Sequence, residues 1–203
     1  MILDHIAVSG TTLPEAVAAV EEALGVRMQP GGEHAVFHTH NALLGLADGL
    51  YLEAIAINPD APVPERPRWF DLDRFAGPAR LTNWICATPD MAEALATLPE
   101  GAGAPVALRR GDLRWQMAVP ADGILPFDNM HPAVIQWQSP VHPASLLTPS
   151  GCTLRRLVVS HPEAAALEAA LLPVFADARV VFEAGPAGLM AEIETPHGLR
   201  RLV

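Results

Sequence analysis

One acidic residue in an apolar segment is the first candidate for chemistry in this sequence. Glu53 lies in the middle of the run Leu50–Ile57. If this run is a strand, Tyr51 and Glu53 share one face with two isoleucines, and the other face is also apolar. We therefore expect the strand to be covered on both sides. A buried carboxylate without a partner is costly, so Glu53 must be paired, protonated, bound to a metal or open to a cavity.

Several histidines are candidate partners for Glu53. His5 lies in the first apolar run, where it is either a functional imidazole or a core histidine that hydrogen-bonds beside Asp4. A His5–Glu53 hydrogen-bonded pair would satisfy both residues without any chemistry. His38 and His40 are two residues apart, so a strand would point both to the same side. The sequence leaves these alternatives open.

The elements that position Glu53 read as a hairpin. Ala47-Asp48-Gly49 separates two apolar runs, and an Asp-Gly step there is a strong hairpin signal. Upstream, Ile2–Val8 reads as a strand, and Thr12-Leu-Pro-Glu15 is a capping box that starts a helix to Leu24. Gly31-Gly32 is expected to break the chain before further strands. The first 58 residues therefore predict strand, helix, strand, strand, strand.

The same order recurs further along the chain. A proline-rich segment, residues 59–80, predicts an ordered linker. Strand candidates follow at 81–87, 106–108, 113–119 and 133–137, with a helix to about Leu98. A third start at 154–159 leads into a second predicted capping box, Ser160-His-Pro-Glu163, then a helix and strands at 179–183, 189–195 and 199–203. Repetition at this period indicates one supersecondary unit used several times.

Composition narrows the classes of function. The 203 residues carry a formal net charge of −10, which argues against nucleic acid or an anionic membrane surface as the main partner. No secretory signal or membrane-length apolar window is visible. Cys86 and Cys152 fit no metal-ligand spacing and read as free thiols. We therefore expect a cytoplasmic protein.

The opening pattern resembles a known family. Leu-Asp-His-Ile-Ala-Val at 3–8, the capped helix, and Asn-Ala-Leu-Leu-Gly-Leu-Ala-Asp-Gly-Leu-Tyr-Leu-Glu-Ala-Ile-Ala-Ile at 41–57 resemble the vicinal-oxygen-chelate superfamily and its glyoxalase-like branch. The resemblance implies an α+β fold in which paired βαβββ modules, 1–58 and 81–138, form a curled mixed sheet around a cleft. Residues 154–203 would add a partial third module of βαβ type within the same compact domain.

The resemblance also implies a divalent metal ion, held by residues from the first and fourth strands of each module. His5 and Glu53 match these positions in the first module. In the second module Asn83 is expected in the place of His5, and Gln136 in the place of Glu53. Two neutral amides are weak ligands for zinc, nickel or iron. His38 and His40 are further candidate ligands, and the alternative is that both face solvent or a loop.

Two functions follow from these observations. The first is a metal-assisted lyase, isomerase or dioxygenase acting on a substrate with vicinal oxygens, with Glu53 as an alternative proton-transfer base. The second is a protein that binds or sequesters a small molecule without a metal. In both, Asn83, Gln136, Trp84 and Trp137 are expected to contact the small-molecule ligand. The alternatives are that the two amides only satisfy backbone groups and that the tryptophans belong to the core, as large aromatic residues in strands more often do. Relatives in the family also suggest a homodimer.

Overall fold

The computed structural model describes all 203 residues. Its three helices are α1 (Leu13–Leu24), α2 (Met91–Thr97) and α3 (Ala164–Leu171). Its twelve strands are β1 (Ile2–Ser9), β2 (Gln29–His34), β3 (Thr39–Leu46), β4 (Tyr51–Ile57), β5 (Arg80–Ala87), β6 (Ala104–Arg110), β7 (Leu113–Val119), β8 (Ala133–Trp137), β9 (Pro149–Ser160), β10 (Val180–Glu183), β11 (Gly188–Thr195) and β12 (Gly198–Leu202).

The strands form one curled mixed sheet with an internal repeat. Its order is β12-β11-β9-β3-β4-β1-β5-β8-β7-β6, with β2 paired to β3 and β10 paired to β9. In the first module β1 runs parallel to β4, and in the second β5 runs parallel to β8. The two modules meet where β1 and β5 pair in antiparallel orientation. The predicted α+β fold with paired βαβββ modules is confirmed.

Successive side chains on the central strands point to opposite faces of the sheet, and each face packs into its own hydrophobic core. On β1, Ile6 and Val8 belong to the larger core, which also takes in the buried faces of the three helices. Ala7, between them, points to the opposite side and joins a smaller core with Ile55 and Ile85. This smaller core lies on the side of the sheet where Glu53 is also found.

The C-terminal segment extends the sheet as a partial third module. β9 pairs in parallel with β3, and α3 connects β9 to the parallel strand β10. Phe175, just after α3, packs edge-on against Trp84 of β5 at a centroid distance of 5.3 Å. The segment therefore covers an edge of the first module and shares a core with the second. The predicted βαβ-type module is confirmed.

Of the two predicted capping boxes, only the one before α1 is present. Thr12 caps α1 as expected: its side chain accepts from the Glu15 amide, and the Glu15 carboxylate accepts from the Thr12 amide. The predicted capping box before α3 is wrong. There the imidazole of His161 accepts the hydrogen bond from the Glu163 amide at 3.0 Å, and Ser160 remains in β9.

The cysteines and the helices bear on two further expectations. Cys86 and Cys152 are both buried free thiols. None of the three helices has the length and apolar character that crossing a membrane would require.

Candidate functional site

A small cavity with polar and apolar lining lies between the two modules, on the side of the sheet that carries Glu53. Its volume is about 20 Å³, room for roughly one water molecule. The polar lining consists of His5, His34, Asn41, Tyr51, Glu53 and Arg110. The apolar lining consists of Leu43, Trp69, Phe70, Trp115, Met117, Ile135 and Trp137.

Strand register brings the polar residues together. The hairpin at 47–49 sets Leu43 opposite Glu53, so Asn41 lies two residues along β3 on the same face. In the parallel pair of β1 and β4, His5 lies opposite Tyr51, and their rings stack at a centroid distance of 4.3 Å. Three neighbouring strands thus direct an imidazole, a carboxylate and an amide into one cavity.

Glu53 is the centre of this group, with only 5% of its surface exposed. Its Oε1 accepts a hydrogen bond from Asn41 Nδ2 at 2.5 Å. Its Oε2 lies 3.8 Å from His5 Nε2, and its Oε1 lies 4.0 Å from His34 Nε2. The carboxylate therefore has one direct donor and two imidazole nitrogens just beyond hydrogen-bonding distance, where a ligand atom or a proton can bridge them.

Asp4 fixes the orientation of His5. Its Oδ1 accepts from His5 Nδ1 at 2.5 Å, and its Oδ2 accepts from Trp137 Nε1 at 2.9 Å and His142 Nε2 at 3.0 Å. Burial by itself raises the pKa of Asp4, but the hydrogen bonds and charges of His142 and His5 together hold that pKa well below its usual value. Asp4 is therefore a carboxylate that holds the Nδ1 proton of His5, which leaves Nε2 facing Glu53.

His34 is a neutral imidazole. Burial, aided by the charges of Arg110, His5 and His40, lowers its pKa to about 3. Its Nδ1 lies 3.0 Å from Thr39 Oγ1, and its Nε2 lies 3.4 Å from the donor Asn41 Nδ2. Because Asn41 supplies a proton toward Nε2, the network assigns the His34 proton to Nδ1.

Arg110 supplies the positive charge of the cavity. Its Nη1 donates to Asn41 Oδ1 at 3.1 Å, and the Gly32 amide donates to the same oxygen at 2.8 Å. Arg110 comes from β6 of the second module, so Asn41 links the guanidinium to Glu53 across the cleft. The guanidinium makes no other hydrogen bond within the protein.

The glycine pair was predicted to break the chain, and the structure places it inside β2. A Cβ on Gly31 would lie 2.0 Å from Asn41 Oδ1, and one on Gly32 would lie 2.7 Å from the Cδ of Arg110. The expected break is therefore wrong. The glycine pair instead marks a close approach of the backbone to these two side chains. Its purpose is to admit Asn41 and Arg110 to the cavity.

We expect Gly31→Ala to destabilise the protein by roughly 1–3 kcal/mol, because the added methyl group collides with Asn41. The matched control is Gly188→Ala on β11, where a Cβ meets nothing within 4 Å. Urea denaturation of both variants measures the difference. Equal midpoints for the two variants would contradict this explanation of the pair.

The second module does not supply the ligands that a four-ligand metal centre needs. His5 lies opposite Ile85 and Ala7 opposite Asn83, so the two-fold repeat relates His5 to Asn83 and Ala7 to Ile85. Ala7 pairs with Glu53 on β4, whereas Ile85 pairs with Ala133 on β8. The counterpart of Glu53 is thus an alanine.

The remaining donors also fail to make such a centre. No group of three or more His, Cys, Asp or Glu side chains is spaced to hold a metal ion. One oxygen of Glu53 is already engaged by the amide of Asn41 at 2.5 Å. The residues present therefore do not fit the metal site that the family resemblance implies.

The structure corrects the expected placement of Gln136. Its side chain lies on the other face of β8, where it accepts from the Met91 amide at 3.3 Å and donates to the Pro89 carbonyl at 2.7 Å. Gln136 therefore holds the start of α2. The expectation that Gln136 takes the place of Glu53 was wrong, because the pairing of β5 and β8 puts Ala133 there, three residues earlier. A register difference of an odd number of residues moves each side chain to the opposite face of the strand.

Trp84 and Asn83 are also placed differently from expectation. Trp84 is fully buried in the larger core, and its indole donates to the Met130 carbonyl at 2.8 Å, so it does not line the cleft. Asn83 lines a different, larger cavity. Trp137 alone of the four predicted ligand-contacting residues lines the Glu53 cavity.

Neither of the two additional histidines reaches Glu53. His38 lies in the turn before β3 with a left-handed backbone (φ 50°), and its Nδ1 contacts the Pro62 carbonyl. His40 lies on β3, but it alternates with Asn41 and therefore points to the opposite face. The two side chains do not share a side, because His38 precedes the strand.

The sequence reasoning missed three of the cavity's polar residues: His34, Asn41 and Arg110. A signal for Asn41 was present, since the hairpin register places it on the face of Glu53. His34 lies on β2, opposite Thr39 of β3, but no turn signal fixed the pairing of these two strands. Arg110 had no such signal, because β6 lies at the far end of the sheet order and reaches the cavity only through the curl of the sheet.

Comparisons with known proteins agree with the fold. A family model described as a glyoxalase-like domain matches residues 3–175. A hypothetical protein from Staphylococcus aureus superposes with a TM-score of 0.57 at 13% identity, covering 98% of this chain and 83% of that one. No protein of curated function matches the sequence.

Two solved enzymes are more distant. Methylmalonyl-CoA epimerase from Mycobacterium tuberculosis has a TM-score of 0.44 at 18% identity, covering 70% of this chain and 91% of that one. The epimerase from Streptomyces coelicolor, solved with 2-nitronate-propionyl-CoA, has a TM-score of 0.43 at 17% identity, covering 68% and 97%. These similarities concern the fold.

Proposed function

The chain belongs to the family of glyoxalase-like domain proteins of the vicinal-oxygen-chelate superfamily, and we propose that its cleft binds a small anionic molecule and transfers a proton at it. The reaction class is that of an isomerase or lyase acting next to a carbonyl or carboxylate group. The observation that carries the proposal is the Asp4–His5 pair, buried and directed at the carboxylate of Glu53 across 3.8 Å.

The lining of the cavity supports the choice of substrate. Arg110 offers guanidinium N–H groups, which bind carboxylates and enolates well. The indole N–H of Trp69 is buried without a partner in the protein, so a ligand oxygen would satisfy it. The flat walls of Trp69, Trp115 and Trp137 favour a planar group. Together these features select a small planar anion with more than one oxygen. Because the cavity has room for only about one water molecule, its aromatic walls must move apart to admit this ligand.

The roles of the acid and the base follow from the contacts. Glu53 can accept a proton from an acidic carbon, with Asn41 holding the carboxylate in place through Oε1. His5 can deliver or remove a proton at a neighbouring oxygen through Nε2, because Asp4 keeps Nδ1 protonated. His34 stays neutral and helps to orient Asn41. No step requires a nucleophile, and no serine or cysteine lines the cavity.

A second candidate is binding without chemistry. It is supported by the apolar character of the second module's half of the cleft, where Ile135 faces the cavity and Ala133 stands in the place of Glu53. In this case Glu53 and His5 would only hydrogen-bond the ligand. The two candidates differ in whether Glu53→Gln removes turnover or merely weakens binding.

We expect Arg110→Met to weaken the binding of small α-keto and α-hydroxy carboxylates by about 10- to 100-fold, because a charge-assisted hydrogen bond is lost. The matched control is Arg109→Met, which removes the same charge from the neighbouring exposed position on β6. Isothermal titration of both variants with one panel of carboxylates measures the effect. Equal weakening in both variants would show that only the general positive charge matters.

A further inference from the structure

A second, larger cavity lies where the linker meets β5 and the C-terminal module. Its volume is about 690 Å³, within the range of small-molecule sites. Phe70 lines both this cavity and the Glu53 cavity, so the two are neighbours. Thr82, Asn83 and Met130 line its β5 side, and Gly188 and Leu189 of β11 line the other. Nothing in the proposed proton transfer uses this space.

Asn83 is the unusual residue of this cavity. It is completely buried, and neither its Oδ1 nor its Nδ2 has a hydrogen-bond partner. No other buried side chain in the protein has both a donor and an acceptor atom left without partners. Buried polar groups in native proteins are almost always paired, so an amide with two free functions requires a ligand or bound water.

The two unpaired atoms of Asn83 indicate which chemical group the ligand carries. A side-chain amide presents a donor and an acceptor side by side, about the spacing of the N–H and C=O of another planar amide. A ligand that carries N–H and C=O in the cis arrangement, such as a lactam, would satisfy both atoms of Asn83. A metal ion or a simple anion would satisfy only one.

The charges around the cavity agree with a neutral ligand. Two arginines and two aspartates line it: Arg74, Arg80, Asp71 and Asp128. Arg74 makes two hydrogen bonds to Asp71, at 2.7 and 2.9 Å. The guanidinium of Arg80 lies over the ring of Phe75 at 4.4 Å. Its Nη1 donates to the carbonyls of Ala76 and Pro78. The formal charges of these four lining residues cancel, so the lining does not select an anion.

The rim carries unusual backbone conformations. Of seven non-glycine residues with positive φ in the chain, four line this cavity: Phe70 (58°), Asp71 (55°), Asp128 (53°) and Asn129 (68°). Such conformations are strained in non-glycine residues and cluster at ligand-binding sites. The rim is therefore built from segments that the rest of the fold holds away from their preferred geometry.

We infer that this cavity is a second binding site, in which Asn83 recognises a neutral planar ligand through a cis-amide group. It is separate from the Glu53 cavity and holds whether or not that cavity transfers protons. Displacement of the rim segments Phe70–Asp71 and Asp128–Asn129 admits the ligand to the amide.

The test uses 2-pyridone, which carries the cis-amide, and N-methyl-2-pyridone, which lacks the donor. Two-dimensional amide NMR of the full chain follows the side-chain NH2 of Asn83 and the backbone amides of Thr82 and Gly188 during titration. We expect 2-pyridone to shift all three signals and to bind at least tenfold more tightly than its N-methyl analogue. Asn83→Leu, similar in size, should lose this preference, while Glu53→Gln should bind 2-pyridone as the wild type does.

Three results would overturn the inference. The first is equal affinity for the two compounds, and the second is unchanged binding to Asn83→Leu. The third combines two observations. The NMR signals of these residues do not shift when 2-pyridone is near its solubility limit, and magnetisation is transferred from water to the Asn83 side-chain amide. That outcome assigns the unpaired atoms to buried water. Thermal denaturation of Asn83→Leu checks that it folds, so that lost binding reports on the site.

Discussion

Asp4→Asn is expected to lower the free energy of unfolding at pH 7 by roughly 3 kcal/mol and to change the tautomer of His5. Asp4 is buried and accepts hydrogen bonds from His5, His142 and Trp137. Asparagine keeps one acceptor but turns an NH2 group toward one of these donors, which leaves buried groups unpaired. Because the Asp4 pKa lies well below its usual value, the carboxylate's contribution is complete at pH 7 and is lost only in strong acid.

Chemical denaturation measures the stability, and the ring ¹⁵N shifts of His5 report the tautomer. In the wild type Nδ1 carries a proton, and in Asp4→Asn that proton is expected on Nε2 alone. The matched control is Asp128→Asn, which alters another Asp–His pair whose carboxylate side chain is 78% exposed. Similar losses of stability in both variants would contradict the role assigned to Asp4. An unchanged His5 tautomer would contradict it independently.

Stability is expected to fall by roughly 4 kcal/mol between pH 7.5 and pH 5, shared about equally by His34 and His131. Burial lowers the pKa of His34 to about 3 and that of His131 to about 4. Above their ordinary pKa near 6.5, both imidazoles are neutral in the folded and unfolded states. Below it, the unfolded chain takes up protons that the folded protein excludes, so stability decreases as the pH falls toward the folded pKa values.

Urea denaturation at half-unit pH intervals between 7.5 and 5 measures this slope. Replacing His131 with leucine removes one of the two groups and should reduce the slope by about half. His131 lies outside the Glu53 cavity, and its side chain hydrogen-bonds only to the Pro132 carbonyl, so the variant leaves that cavity intact. A wild-type stability that is constant over this range would show that the two imidazoles are not excluded from protonation.

Much of the fold was predictable because it rests on local patterns. The capping box at Thr12, the Asp-Gly hairpin and alternation along β4 each depend on residues close in sequence. These patterns place Glu53 on the correct face, whereas the proximity of β1 and β4 was implied by the family resemblance. They also reveal the repeat of modules, since each module begins with a strand that is followed by a helix.

The rest of the site depends on contacts between distant segments. Gly31-Gly32 looks like a chain break, and only the packing of Arg110 and Asn41 over β2 shows why glycine is needed there. The face of Gln136 depends on the register of β8, which no turn signal fixes. A register difference of three residues, with Ala133 rather than Gln136 as the counterpart of Glu53, puts Gln136 on the other face of β8, where it holds the start of α2.

The most direct test of the central claim is proton exchange at carbon, measured by ¹H NMR in D₂O. The protein, treated with chelator, is incubated with small α-keto and α-hydroxy carboxylates that titration shows to bind. We predict exchange of the carbon-bound proton in at least one of them, and a fall of about 10²- to 10⁴-fold in Glu53→Gln with binding retained. If bound compounds exchange no proton, or exchange equally in Glu53→Gln, the acid–base account is wrong. Exchange that appears only after a divalent metal is added would contradict it as well.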